Sequence, residues 1–200
     1  ARIDTMDGGA GNDSIVIAGG TVSSINAGSE NDSVVISGGS IGTIDAGSGN
    51  DTINISGGGV SLALGGNDAD FISVGTGANI DTINAGGDND SIVVSGGTVD
   101  SISGEAGSDS ILISGGTIST LDGATGSDTI NIAGGGVSLA LGGGDDSADL
   151  FSITGGQVGT ISAGGGNDTI NISGTATVSL ASADAGTDFI SVGSSARIDT

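Results

Sequence analysis

The amino-acid sequence predicts an all-β fold, a right-handed parallel β-solenoid of ten coils that spans residues 1–200 as a single unit. Three observations support this prediction: an aspartate recurs in every coil, short stretches of alternating aliphatic and polar residues follow it, and glycines separate these stretches. The spacings between these aspartates are 19, 19, 19, 20, 19, 19, 21, 19 and 20 residues, which is regular over nine intervals. We call them the anchor aspartates: Asp13, Asp32, Asp51, Asp70, Asp90, Asp109, Asp128, Asp149, Asp168 and Asp188.

Each coil of 19–21 residues is expected to contain two short strands. After Asp51, the segment Thr52–Ser56 alternates Ile with polar residues, and Val60, Leu62 and Leu64 alternate again after a glycine turn. This alternation predicts strands with one buried face, on which the three aliphatic residues of the second strand should lie together. A single coil cannot bury that face, so the coils must stack with equivalent strands paired in parallel. The crossovers of parallel strands are nearly always right-handed.

Composition restricts the possible partners. The chain has 24 acidic residues and a net charge of −22, and its only basic residues are Arg2 and Arg197. Nucleic acid and anionic membranes need basic surfaces, so both are excluded as partners. High charge with 43 glycines would also suit a disordered chain, but the regular recurrence of Val and Ile favours a folded one. The absence of cysteine excludes a disulfide framework.

The anchor aspartates are candidate metal ligands. Stacking would place ten carboxylates in one column, roughly 5 Å apart, where like charges repel. Ca²⁺ relieves such repulsion, because it accepts six to eight oxygen ligands in flexible geometry. Softer metals lack ligands here, since there is no His or Cys. The alternative is that the Asn-Asp pairs, such as Asn12–Asp13, only cap their turns through side-chain to backbone hydrogen bonds.

The turn before each anchor carries a recognisable motif. Gly8–Val16 fits the nonapeptide GGxGxDxUx at every position, and AGSGND ending at Asp51 and AGGGND ending at Asp168 fit it more loosely. The chain therefore resembles the calcium-binding repeats of RTX proteins, most closely the one-sided 19-residue coil of bacterial RTX adhesin and ice-binding regions. It departs from RTX protease and toxin rolls, because its second turn has no Asp. The resemblance implies Ca²⁺ binding by the anchors and a secreted, extracellular or cell-surface protein.

The sequence favours a structural role: a calcium-stabilised filament, sheath or adhesin stalk, or an extender that carries an adhesive domain outside this segment. An ice-binding or ligand-binding module is a second possibility, but the position three residues before each anchor is Thr only at Thr125. A polysaccharide hydrolase or lyase could use paired acids. However, the chain lacks the long loops, basic residues and aromatic platforms of such enzymes, so we expect no catalysis and no small-molecule substrate. The acids considered for it are Asp68 with Asp70, and Asp145, Asp146 and Asp149.

A longer period predicts self-assembly. The pentapeptide Ala1–Thr5 recurs as Ala196–Thr200, so a 195-residue block of ten coils would tile without a break, as in an excerpt of a longer repetitive protein. The alternative is chance recurrence within a low-complexity sequence. The expected partners are copies of the chain itself, end to end or side by side. Outward apolar residues could support lateral contacts: Val16, Val35, Val93 and Leu112.

Overall fold

The computed structural model describes residues 1–198, all of whose regular elements are β-strands. No helix in this range is long and apolar enough to span a membrane. The strands are β1 (Arg2–Ala10), β2 (Ser14–Ile17), β3 (Thr21–Ser29), β4 (Ser33–Ile36), β5 (Ser40–Ser48), β6 (Thr52–Asn67), β7 (Phe71–Gly87), β8 (Ser91–Val94), β9 (Thr98–Ala106), β10 (Ser110–Ile113), β11 (Thr117–Ala124), β12 (Thr129–Ile132), β13 (Gly136–Gly143), β14 (Leu150–Ile153), β15 (Gln157–Ser162), β16 (Gly165–Gly166), β17 (Thr169–Ile172), β18 (Thr177–Ser182), β19 (Ala185–Gly186), β20 (Phe189–Val192) and β21 (Arg197–Ile198).

Every strand pairs in parallel with its equivalent one coil away. Ile15 in β2 pairs with Val34 in β4, which pairs with Ile53 in β6, so the register advances by one repeat at each step. Nineteen strands belong to one sheet system, and β16 and β19 form a small second sheet. The predicted parallel β-solenoid with coils of about 19 residues is confirmed. In β6 and β7 the strand also continues through the glycine turn, which joins the two strands of those coils.

A thin aliphatic core runs along the solenoid axis. In a typical coil the first strand contributes two buried residues, such as Ile53 and Ile55, and the second strand contributes two more, such as Val60 and Ala63. Equivalent positions stack on one another from coil to coil because the register is constant. Phe151 is the one aromatic side chain that is fully buried in the described residues.

The second strand departs from the predicted alternation. We expected Val60, Leu62 and Leu64 to share the buried face, but Ala63 is buried instead, and both leucines are half-buried. The same three-residue spacing separates the buried Ile41 and Ile44 in the preceding coil. The strand therefore changes phase after its first buried residue, and every side chain beyond that point faces the opposite way.

Two kinds of turn close each coil. The Asp edge comprises, in each coil, the anchor aspartate and the turn residues just before it. The Gly edge comprises the glycine-rich turn between the two strands of a coil, such as Ser37–Gly39. At the Gly edge the backbone N–H of Ser37 donates to the Ile17 carbonyl at 2.9 Å, and that of Ser40 donates to the Gly20 carbonyl at 2.8 Å.

Candidate metal centre

The anchor aspartates form one column along the Asp edge, as predicted. Each lies immediately before the first strand of its coil, so the parallel register of those strands places the anchors above one another. Eight anchors are buried, with only 1–4% of their surface exposed, and they are Asp32, Asp51, Asp70, Asp90, Asp109, Asp128, Asp149 and Asp168. Asp13 and Asp188, in the outermost coils, are half-buried. The column therefore lies inside the turn, away from solvent.

One oxygen of each carboxylate serves the backbone. The N–H of Asp51 donates to Oδ1 of Asp70 at 2.7 Å, and the N–H of Asp70 donates to Oδ1 of Asp90 at 2.7 Å. The same bond joins all nine successive pairs from Asp13 to Asp188, at 2.7–3.0 Å. Half of each carboxylate thus performs the capping that the alternative hypothesis proposed.

The asparagines that precede many anchors form a second ladder in the opposite direction. Oδ1 of Asn12 accepts the N–H of Asn31 at 3.1 Å, and Oδ1 of Asn31 accepts the N–H of Asn50 at 2.9 Å. An Asn therefore bonds to the following coil, whereas an anchor Asp accepts from the preceding coil. The sequence indicated that both residues cap turns, but it did not indicate these opposite directions.

The second carboxylate oxygen has no such partner. Among the described residues, Oδ2 is buried without a hydrogen-bond partner in eight anchors: Asp13, Asp32, Asp51, Asp70, Asp90, Asp109, Asp128 and Asp168. A buried polar atom without a partner costs about 1–3 kcal/mol, and more if it is charged. Hydrogen bonding accounts for Oδ1 of the anchors, but it does not account for these eight buried Oδ2 atoms.

Main-chain oxygens lie close to this orphaned atom. A methyl group built at Gly65 would lie 2.5 Å from Oδ2 of Asp70 and 2.2 Å from the carbonyl oxygen of Ala85 in the next coil. Built at Gly123, it would lie 2.3 Å from Oδ2 of Asp128 and 2.5 Å from the Gly142 carbonyl oxygen. A carboxylate oxygen and a carbonyl oxygen of the next coil therefore face one small region, and while the carboxylate is ionised neither atom has a proton to donate to the other. This oxygen-only environment suits a hard cation.

The electrostatics of the column are unfavourable to bare carboxylates. Burial raises the pKa of the Asp70, Asp90 and Asp128 carboxyls to about 7 and that of Asp149 to about 6. The backbone N–H donated to each carboxylate opposes this rise, and the charges of neighbouring anchors add to it. Either a proton or a cation would therefore stabilise the folded column at neutral pH.

Two other acids on the Asp edge accept backbone hydrogen bonds, although Oδ1 of Asp145 is buried without a partner. Oε2 of Glu30 accepts the backbone N–H of Gly11 at 2.7 Å, and Oδ2 of Asp145 accepts that of Gly126 at 3.0 Å. The hydroxyl of Ser147 also donates to Asp145 and lowers the pKa of that carboxyl. Within residues 1–198, no three acidic side chains converge on one point. Any ion at the column would therefore need main-chain carbonyl oxygens as well as the anchors.

The acids considered for catalysis do not form an open pair. Asp70 and Asp149 are buried in the column, and each accepts the N–H of the preceding anchor. Asp68 and Asp146 are exposed beside them. Asp145 is bound to the backbone of the preceding coil. These positions give each carboxylate a structural partner or a solvated surface.

Comparison with known proteins supports the fold and links it to a calcium-dependent protein. No protein-family model matches the chain, and no curated protein sequence is significantly similar to it. A solved structure, however, matches nearly all of it. That structure is the crystal structure of a hyperactive, Ca²⁺-dependent, β-helical antifreeze protein from an Antarctic bacterium, with 26% sequence identity and a TM-score of 0.54. The match covers 94% of this chain and 75% of the antifreeze protein. The chain is similar to a calcium-dependent β-helix.

Proposed function

We propose that this chain is a calcium-stabilised β-solenoid scaffold of an extracellular filament, sheath or adhesin stalk, without enzymatic activity. The column of buried Oδ2 atoms without hydrogen-bond partners carries the proposal. Calcium would supply the positive charge that offsets the column, held by the anchor aspartates and by main-chain carbonyls such as those of Ala85 and Gly142. The similarity to a Ca²⁺-dependent β-helix is a second support.

The shape and side chains of the surface support the scaffold role. The two ends of each coil are narrow turns, and the two faces carry mostly short polar side chains. A rigid rod of stacked coils provides length rather than a binding pocket. The extracellular location is part of the proposal, since the calcium dependence would suit a compartment rich in that ion.

Ice binding is a second candidate function, and the similarity to an antifreeze protein favours it. A flat ice-binding surface needs one outward residue type repeated along the rod. The turn position three residues before each anchor instead varies in size and chemistry: Ala10, Ser29, Ser48, Asn67, Gly87, Ala106, Thr125, Asp146, Gly165 and Ala185. We therefore rank the scaffold first. Measurement of thermal hysteresis in the presence of calcium separates the two functions, because only ice binding gives a gap between freezing and melting.

The metal proposal is tested by replacing a carboxylate with its amide. Asp90→Asn keeps an Oδ1 atom that can accept the N–H of Asp70, but it removes the charge and weakens the ligand. Asp45→Asn is the matched control, because Asp45 lies in the second strand of its coil, outside the anchor column. If the anchors bind calcium, Asp90→Asn should lower calcium affinity about tenfold or more in titration calorimetry. Asp45→Asn should change it far less, because it removes only a nearby charge and no ligand.

Circular dichroism gives the complementary readout. With the wild-type chain, chelation at neutral pH should reduce β-structure and the melting temperature, and added calcium should restore both. If capping is the only role of the anchors, Asp90→Asn will be neutral or stabilising, because it removes repulsion, and chelation will change nothing. That result would exclude calcium from the scaffold.

A further inference from the structure

One broad face of the solenoid carries no charge. The first strand of each coil directs its first and third residues outward, as β10 does with Ser110 and Leu112, and we call these outward residues the first-strand face. No Asp, Glu, Lys or Arg occurs in any first strand of the described residues. The second strands hold exposed acids on the opposite face, such as Asp81 and Asp100. In a chain with a net charge of −22, the first-strand face is therefore one on which another acidic molecule can lie without meeting like charges.

Large apolar side chains interrupt the short polar ones on this face. Phe71 is 41% exposed and Leu112 is 36% exposed, and Val35 and Val93 are half-buried. Each of these four residues lies in a coil that has another coil on both sides, so its exposure does not come from an end of the stack. Single exposed apolar residues are ordinary, but these share one face and one register.

The apolar residues are arranged symmetrically along the face. Strand pairing places the third residues of six first strands in one column, with Asn54 beside Ser73 at its centre and two aliphatic residues on either side. In order, this column is Val16, Val35, Asn54, Ser73, Val93 and Leu112. The column of first residues has two larger side chains at its centre and serines on either side: Ser14, Ser33, Thr52, Phe71, Ser91 and Ser110. Each column therefore has nearly the same order of side-chain types in both directions.

This symmetry fits a two-fold contact between two copies of the chain. A two-fold axis that runs along the strands, between Asn54 and Ser73, places each column against the same column of the second copy in reverse order. Val16 would then face Leu112 of the second copy, and Val35 would face Val93 of the second copy. A two-fold interface uses the same surface of both subunits, so a self-complementary pattern is what it requires. The four aliphatic residues of each copy would leave water together.

We propose that two copies of this chain pack through the first-strand face, with their solenoid axes antiparallel. The second-strand face is unsuited to such a contact, because it would bring Asp81 and Asp100 towards acids of the second copy. Six strands of four residues give a contact of roughly 29 Å by 13 Å. This is at the small end of specific interfaces, so we expect a dissociation constant of roughly 10–100 µM. The inference rests on the proposed scaffold function and deepens it by naming a lateral partner.

Sedimentation of the full chain with calcium tests which face is used. Leu112→Asp should raise the dissociation constant of the dimer about tenfold or more, because it buries a charge against Val16 of the second copy. Ser119→Asp is the matched control: it adds the same charge to the same coil, at an exposed position of the second strand, and should change the constant less than about twofold. Leu112→Asn is a milder variant that the fold accommodates, since Asn131 occupies the equivalent position in β12. It should weaken the dimer several-fold.

Cross-linking tests the antiparallel register. The chain has no native cysteine, so Ser56→Cys and Ser114→Cys each introduce a single thiol, five residues after an anchor and exposed at the rim of the face. Across the proposed axis, two copies of residue 56 are offset by one strand spacing, about 4.8 Å, and two copies of residue 114 by five spacings, about 24 Å. A short bis-maleimide that spans the distance between packed sheets, about 10 Å, should therefore link Ser56→Cys dimers at least fivefold more than Ser114→Cys dimers.

Three results would overturn the face-to-face contact. They are equal cross-linking of the two cysteine variants, equal weakening by Leu112→Asp and Ser119→Asp, and a folded wild-type chain that stays monomeric about tenfold above the expected range. The last result would leave the face to a partner of another kind. If circular dichroism shows that Leu112→Asp does not fold, Leu112→Asn decides: an unchanged dissociation constant overturns the contact.

The calcium proposal is read separately, by circular dichroism of the same wild-type samples with and without chelator. A fold that ignores calcium while the dimer forms would contradict calcium stabilisation and leave the contact standing. A chain that needs calcium to fold but remains monomeric would contradict the contact and leave calcium stabilisation standing.

Discussion

The two edges of the solenoid close the same coils by different means. At the Gly edge, backbone bonds join successive coils, and serine hydroxyls add to them, as where Oγ of Ser95 donates to the Val74 carbonyl at 3.0 Å. At the Asp edge, each step is bridged by a buried carboxylate such as Asp90, whose Oδ2 lacks a hydrogen-bond partner. Both edges accommodate the same strand spacing, because they join the same stacked strands.

The difference between the two edges shows which groups the stacking of coils needs and which groups serve another role. Neutral groups are enough to close the coils at the Gly edge, so stacking alone does not require charge at a turn. A column of buried carboxylates raises the free energy of the folded chain unless something neutralises it. The Asp edge therefore has a second requirement that the Gly edge lacks: its carboxylates must be neutralised by protons or by a cation, and our proposal gives this role to calcium.

The largest expected effect comes from removing calcium. Hydrogen exchange should then accelerate strongly at the backbone amides of Asp70, Asp90 and Asp109, because the ionised column repels itself and opens the turns. The amides of Ser95 and Ser114 at the Gly edge should remain protected longer. Mass spectrometry of peptides from both edges, with and without chelator, measures the difference. Equal acceleration at both edges would show that the Asp edge has no special dependence on the ion.

A smaller effect is expected from pH in calcium-free solution. The folded state raises the pKa of Asp70, Asp90 and Asp128 to about 7 from an ordinary value of 3.8. The folded chain therefore binds more protons than the unfolded chain between these values, and its stability falls as pH rises through that window. Urea or thermal unfolding should show greater stability at pH 5 than at pH 8. A calcium-free chain that is more stable at pH 8 would contradict the buried column.

Calcium should compete with protons at the same oxygens. Saturating calcium is therefore expected to raise stability more at pH 8 than at pH 5, and to flatten the pH dependence of unfolding. The control is Asp90→Asn, which removes one titrating group and should reduce the difference between the two pH values.

The smallest effect is expected at the Gly edge. Ser95→Ala removes the hydroxyl bond to the Val74 carbonyl but leaves the backbone N–H of residue 95 donating to the same oxygen at 2.9 Å. The loss should be about 1 kcal/mol or less in unfolding free energy, with calcium affinity unchanged. If Ser95→Ala weakens calcium binding as much as Asp90→Asn, the assignment of the ion to one edge is wrong.

Much of this architecture could be predicted from the sequence, because it follows from periodicity. The spacing of the anchors gave the coil length and their alignment, and the alternation around Ile53 and Ile55 gave the first strand. The second strand was less predictable: Val60, Leu62 and Leu64 alternate well, yet Ala63 is the buried residue. The signal lies in the other coils, where the two aliphatic residues of the second strand are three positions apart, as Ile41 and Ile44 are, and both are buried.

The chemistry of the column was predicted only in part. The sequence indicates aligned carboxylates with either a calcium or a capping role, and on sequence alone the two roles compete for the same group. The structure divides each carboxylate between Oδ1, which caps the preceding coil, and Oδ2, which is buried without a partner. That division depends on three-dimensional register and burial, so residue spacing alone could not indicate it.

The most direct test of the central claim is to locate calcium in crystals grown with the ion. Anomalous diffraction should show ions only along the Asp edge, between successive coils, at about 2.3–2.6 Å from Oδ2 of anchors such as Asp70 and Asp90. Carbonyl oxygens of the neighbouring turns should complete each site. Anomalous peaks at the Gly edge, or an Asp edge without peaks in crystals soaked with excess calcium, would contradict the account.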